Sequence, residues 1–217
     1  MAFLNENVVR ELVKRGVIKD TFRRLTADKK ERVYRTAINL IGEYGYDGLS
    51  VDQLCTEAGI SKGSFFQYFP SKSHLLEFAV IIFDDYTAGW VREIRANESS
   101  ALARERLIYL YDSTIANLHM FPAEQLFFRY VTQAASHSAV SIEGINLERH
   151  WRDYFSEIIV RGQATGEIRR DLDADALVEF VFVSIGGLLQ RQVGGRKFMQ
   201  SHARDHLMTI LFDGIKA

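Results

Sequence analysis

The sequence predicts an all-α protein, and three observations carry that expectation. Only two prolines occur in 217 residues, Pro70 and Pro122, where average usage of about 5% gives roughly eleven. Many-stranded β folds need more turn chemistry than that. Apolar residues recur at helical spacing through nearly the whole chain, and there is neither an Asn-Gly hairpin turn nor a sustained alternation of period two. A composition of 47% hydrophobic and 25% charged residues is that of a packed chain, which excludes a disordered tail or a collagen-like repeat.

The first element is an amino-terminal extension, residues 1–25, in which Val8, Val9, Leu12 and Val13 fit a short amphipathic helix. From Arg10 to Arg35 the chain carries ten Lys/Arg against four Asp/Glu. Two roles stay open for the extension. It is an arm reaching a flanking phosphate or minor groove, or an extra helix packed on the following module (or a loose end), and the second is the simpler expectation.

Residues 26–76 form the next unit. Val33, Ala37, Leu40, Ile41 and Tyr44 lie on one face of a helix of about four turns. Gly42, Gly45, Gly48, Gly59, Gly63 and Pro70 then punctuate the chain and leave room for two short helices. Ser50 and Gln53 have capping-box spacing, with Leu49 placed to staple onto Leu54. Gly59 supplies a left-handed stop. Ser61 caps the second short helix, with Ile60 stapling onto Phe65. Pro70 disfavours helix at Phe69, and Ser71 caps a long helix after it. Two short helices joined by a tight turn containing glycine make a helix-turn-helix.

On the second short helix Phe65 and Phe69 point together and form the buried face. Gln67 lies almost opposite, with Gly63 and Ser64 beside it and Phe66 and Tyr68 on the flanks. A small, polar, uncharged outer face suits an element pressed into a major groove, where Gln bonds adenine bidentately and an aromatic edge touches a thymine methyl. Gly63 lets the backbone approach DNA closely. Lys62 and Lys72 bracket the helix for phosphates, as do Ser50 and Ser61 at helix amino termini.

Residues 77–217 read as a larger helical domain for effector binding and dimerisation. Its helices are marked by Leu76, Ala79, Val80, Phe83 and Trp90; by Leu107, Leu110, Tyr111, Thr114, Ile115 and Leu118; by Trp151, Tyr154, Phe155, Ile158 and Ile159; by Leu177, Phe180, Val181, Ser184, Ile185 and Leu188; and by Leu207, Ile210 and Leu211. Pro122 starts a further helix. Phe83, Tyr86, Trp90, Tyr111, Phe127, Phe128 and Phe155 are candidates to line a small-molecule pocket, with His119, Gln125 and Gln133 as orienting polar groups. An apolar or aromatic effector of modest size follows from that lining. Ser184, Gly186 and Gly187 among large apolar residues permit close helix approach. Trp151, Phe155, Phe180, Ser184, Gly187 and Leu188 are therefore candidates for a four-helix dimer interface.

The net charge of −1 hides an asymmetry: residues 1–72 balance at +3 and residues 73–217 at −4. A basic amino end points toward a polyanion partner. The single cysteine, Cys55, excludes an internal disulfide framework and a cysteine-only zinc site, and its place beside Leu54 and Ala58 reads as a buried structural thiol. His202 and His206 have the spacing of helix-borne metal ligands, but a solvated helix face is the expectation, so no metal and no cofactor is assigned. The apolar stretch Ala176–Leu189 is too short to span a bilayer, and no secretory signal is visible at Met1–Asn7. A cytoplasmic protein without a membrane role is expected. Paired carboxylates, a phosphate loop and a nucleophile constellation are all missing, so no catalytic residue is assigned and an enzyme is not expected.

Ala58 to Lys72, with Gly45-Tyr46 and Leu49-Ser50-Val51 ahead of it, resembles the amino-terminal domain of the TetR family of bacterial transcriptional regulators over about residues 29–76. Gly166 to Asp173 with the apolar helix behind it resembles the carboxy-terminal part of many members. The resemblance implies a homodimer on a palindromic double-stranded operator, usually a repressor released by a small molecule. Ser50, Ser61, Lys62, Gly63, Ser64, Phe66, Gln67, Tyr68 and Lys72 match its DNA-contacting positions. Two departures stand out: Gln67 where members often have an aromatic residue, and His74 where an acidic residue commonly closes a capping box with Ser71. An activator of the same family, or an all-α ligand-binding protein or enzyme with no DNA role, are the alternatives.

Overall fold

The computed structural model describes residues 4–98, 102–135, 145–193 and 201–215. The regular elements among them are all helices: α1 (Glu6–Lys14), α2 (Asp20–Arg23), α3 (Ala27–Gly48), α4 (Val51–Ala58), α5 (Lys62–Tyr68), α6 (Lys72–Asn97), α7 (Ala103–Met120), α8 (Pro122–Ala135), α9 (Arg149–Thr165), α10 (Ala174–Val193) and α11 (Ser201–Ile215). They form two compact units, one from residues 1–88 and 121–147, the other from 89–120 and 148–217.

In the first unit the extension is part of the core. Val9, Leu12, Val17, Ile18 and Phe22 are buried with Val33, Tyr34, Ala37, Ile38 and Ile41 of α3 and with Leu54, Phe65, Phe69 and Phe78. The Phe22 ring lies 5.0 to 5.9 Å from the rings of Phe78, Phe69 and Tyr68. Lys30, buried on α3, donates to Glu6 Oε1 on α1 at 2.6 Å. Such burial of large apolar and aromatic side chains supplies most of a small unit's stability.

Phe121–Leu147 groups with this unit although its sequence position lies within the larger helical stretch. The reason is visible at Gly42, where an added Cβ would meet Leu126 Cβ and the Phe127 nitrogen at 2.9 Å each. Only a glycine lets α8 approach α3 so closely. α3 breaks at Gly45, whose φ of 73° is a left-handed value that favours glycine. Tyr44, counted by spacing with the buried face, is 51% exposed because the buried run on α3 ends at Ile41, just before that break. Glu124 on α8 is 4% exposed, with the Arg35 guanidinium 3.6 Å away, and burial pushes its carboxyl above the ordinary glutamate range.

The second unit packs α7, α9 and α10 around Leu107, Leu110, Tyr154, Phe155, Ile158, Ile159, Val181 and Ile185. Arg106, 1% exposed, is held by Glu98 Oε1 and Glu157 Oε1 at 2.7 Å each. Glu98 also accepts from the Tyr154 hydroxyl. Glu167 caps α7 from a distance, its two carboxylate oxygens accepting from the Ala103 and Arg104 amides at 2.7 and 3.2 Å. Among the described residues no helix is long and apolar enough to cross a membrane.

Candidate nucleic-acid interface

The interface is built from local chemistry. Ser50 Oγ accepts from the Gln53 amide at 2.9 Å and opens α4. The reciprocal half of the expected capping box is replaced, because the Gln53 side-chain amide donates to Glu57 Oε1 at 3.1 Å instead. Gly59 closes α4 at φ 65° and ψ 42°, the left-handed conformation that a side chain disfavours. Ser61 Oγ then accepts from the Ser64 amide at 3.0 Å and opens α5. Phe69 is extended, at φ −122° and ψ 136°, as a residue before proline must be. Ser71 Oγ accepts from the His74 amide at 3.4 Å and lies 2.7 Å from His74 Nδ1, a side-chain contact in place of the reciprocal bond that an acidic capping-box partner makes to the N-cap amide.

Phe65 and Phe69 are fully buried, 5.4 Å apart between ring centroids, and fix the inner face of α5. Ser50, Ser61, Lys62, Gly63, Phe66 and Gln67 are exposed, and Ser64, Tyr68 and Lys72 are half-buried. Phe66 keeps 45% of its surface open while its ring stands edge-on to Phe65 at 5.1 Å. An added Cβ at Gly63 would meet nothing nearer than Ser61 Oγ at 3.7 Å. The fold therefore has room for a side chain that the sequence withholds.

The two lysines are held differently. Lys62 Nζ is 2.9 Å from Asp52 Oδ1 on α4, a pairing that raises its pKa. Lys72 Nζ lies 4.4 Å over the Tyr46 ring. Sequence reasoning missed Asp52 as a local counter-charge and Tyr46 as a support. The ten-residue separation of Asp52 from Lys62 spans a turn, which spacing on one helix does not reveal. Cys55 is buried, and desolvation raises its thiol pKa above the usual value.

The candidate pocket residues divide between the units. Phe83, Tyr86, Phe127 and Phe128 belong to the first, with the Phe83 ring 5.4 Å from Phe127 and 6.1 Å from Phe128. Trp90, Tyr111 and Phe155 belong to the second, where Tyr111 and Phe155 are buried. On the candidate dimer surface Phe180 is 50% and Val183 58% exposed, and an added Cβ at Gly186 or Gly187 would meet nothing within 4 Å. Phe155 faces inward, 6.1 Å from the Phe182 ring, and Trp151 and Ser184 are half-buried. The side chains of Leu118, His119, Gln133, Leu188, His202 and Leu207 lie outside the described residues. Among those described, no group of three metal-ligating side chains comes together.

A helix-turn-helix whose second helix opens on Lys62 and otherwise presents an exposed, uncharged outer face between cap hydroxyls and Lys72 is the architecture of a DNA-binding module. Residues 33–79 match the family model described as bacterial regulatory proteins, tetR family. The chain is 26% identical over 174 residues to the HTH-type transcriptional repressor DhaR of Mycobacterium sp. (strain GP1), covering 80% of this chain and 85% of that one. A TetR family transcriptional regulator of Chloroflexus aurantiacus J-10-FL superposes with a TM-score of 0.70 at 20% identity, over 92% of this chain and 99% of that one. FadR of Bacillus subtilis, solved in complex with stearoyl-CoA, superposes with a TM-score of 0.63 at 18% identity, over 85% and 98%. Residues 33–79 are thus similar to the DNA-binding part of TetR-family regulators, and the chain as a whole shares the fold of solved TetR-family structures.

Proposed function

We propose that this chain is a homodimeric repressor that holds a palindromic operator duplex and leaves it when a small apolar or aromatic ligand binds. It acts in the cytoplasm, on nucleoid DNA, and no catalytic step is assigned to it. The observation that carries the reading is the face of α5. Phe66 and Gln67 are exposed beside a glycine for which the fold leaves room for a side chain, on a helix pinned from below by Phe65 and Phe69. A merely solvated helix face normally carries charge; this one offers an amide and an aromatic edge for base edges, with Ser50, Ser61, Ser64, Tyr68, Lys62 and Lys72 for phosphates.

Dimerisation is supported by the open apolar surface of α10 at Phe180 and Val183 beside Gly186 and Gly187. A dimer also doubles a modest positive balance of +3 in the first 72 residues. An apolar effector is supported by the aromatic side chains of both units and by the acyl-CoA held in the Bacillus subtilis FadR structure. Two half-sites one helical turn apart, or a multiple of it, are expected in the operator. The test is a gel-shift on duplex DNA from around the protein's own gene at low salt, with and without stearoyl-CoA. A specific shift is expected. Its absence in both conditions overturns the reading, and a monomeric mass by light scattering at micromolar concentration overturns the dimer.

A further inference from the structure

The carboxy-terminal end of the recognition helix α5 poses a problem that the helix itself cannot solve. The Phe66 carbonyl of a continuing helix would accept from residue 70, but that residue is Pro70, which has no N–H. The chain leaves helical geometry at Phe69, so the Gln67 and Tyr68 carbonyls are also left without partners within α5. All three oxygens are met from the amino-terminal extension. Lys19 Nζ donates to the Phe66 carbonyl at 2.8 Å, Thr21 Oγ1 donates to that of Gln67, and the Lys19 amide donates to that of Tyr68 at 2.8 Å. The Lys19 ammonium also sits where the negative end of the helix dipole favours a cation. Behind these contacts Phe22 packs on Tyr68 and Phe69 and ties α2 into the core.

We propose that Lys19 and Thr21 are positioning residues for DNA recognition: the extension works as a brace that sets the angle of α5 and touches no base itself. Neither residue lies on the outer face of α5, and both act through the backbone of the three residues at the reading end of that helix. The extension thus has a role different from a phosphate-binding arm. The inference rests on the DNA-binding reading above.

The experiment uses the full-length chain and a duplex enriched by the wild-type protein from a random-sequence pool, with a scrambled duplex of equal length as control. Thr21→Val keeps shape and charge but removes the hydroxyl, and is expected to weaken binding to the selected duplex about five- to tenfold, the worth of one hydrogen bond. Affinity for the scrambled duplex and the salt slope stay unchanged, since both rest on phosphate contacts. Thr21→Ser restores the selected affinity, and Lys19→Met repeats the loss. Equal binding by wild type and Thr21→Val, or a proportionate loss on both duplexes, overturns the brace. Hydrogen exchange reads it without DNA: the Phe69 amide, bonded to the Phe65 carbonyl at 2.9 Å, exchanges faster in Thr21→Val, and unchanged protection overturns it. Failure of the wild-type protein to enrich any duplex overturns the DNA-binding reading instead.

Discussion

Lys62 Nζ stands 2.9 Å from Asp52 Oδ1 across the turn that joins α4 to α5. The cation proposed above as a DNA-phosphate contact is thus already engaged by a carboxylate that a polyanion repels. Both side chains are more than half exposed, so the pair contributes little to folding. Its weight falls on binding.

Asp52→Asn is accordingly expected to tighten binding to duplex DNA of any sequence by a few-fold. It also steepens the dependence of log affinity on log salt by about one unit, because one more phosphate contact is gained. Fluorescence-anisotropy titrations at several salt concentrations measure both quantities. Unchanged affinity and slope would remove Lys62 from the contact set.

Gly63 separates folding from function. It sits in a helix with open space where a Cβ belongs, and glycine there costs about 0.5–1 kcal/mol against alanine. Gly63→Ala should raise the melting temperature while weakening binding to the preferred duplex, since the methyl group intrudes where the backbone meets DNA. A variant that is more stable and binds equally well would show that this backbone keeps its distance from the groove.

Glu124 gives the fold a pH signature. Burial holds its carboxyl above the ordinary range, outweighing the Arg35 guanidinium 3.6 Å away. Its protonated form is therefore the one the folded state favours. That stability is fully present below the unfolded value near 4.5 and is lost as pH rises through the raised folded value. Glu124→Gln stays neutral throughout. Its melting temperature should gain on that of the wild type as pH is taken from about 4 to about 7, and a constant difference across that interval would place the ionised carboxylate at no cost.

The parts of this architecture that were readable from sequence are those whose causes are local. Ser50, Gly59, Ser61 and Phe69-Pro70 each act within a few residues, so the bounds of α4 and α5 and the buried pair Phe65 and Phe69 follow from spacing alone. What spacing cannot supply is contact at long range. The Lys19 and Thr21 bonds cross 46 to 49 residues and end on backbone oxygens, which carry no residue-type signal. Pro70 was the available clue, since a proline just past a helix end deprives a carbonyl of its donor. The approach of α8 to α3 had its clue in Gly42, a glycine inside a helical pattern. The half-formed capping box at Ser50 shows the converse. Gln53 had two acceptable partners within reach, and the neighbouring turn of its own helix won.

Lys19 and Thr21 grip backbone oxygens and are indifferent to the side chains of α5. Positions 63, 64, 66 and 67 are therefore open to exchange without loosening the helix end. A reading head grafted from a relative would bring its own alphabet and inherit this chain's angle of attack. New operator preferences are reachable here by changing letters on a fixed mount, and the mount is encoded more than forty residues upstream of the letters it serves.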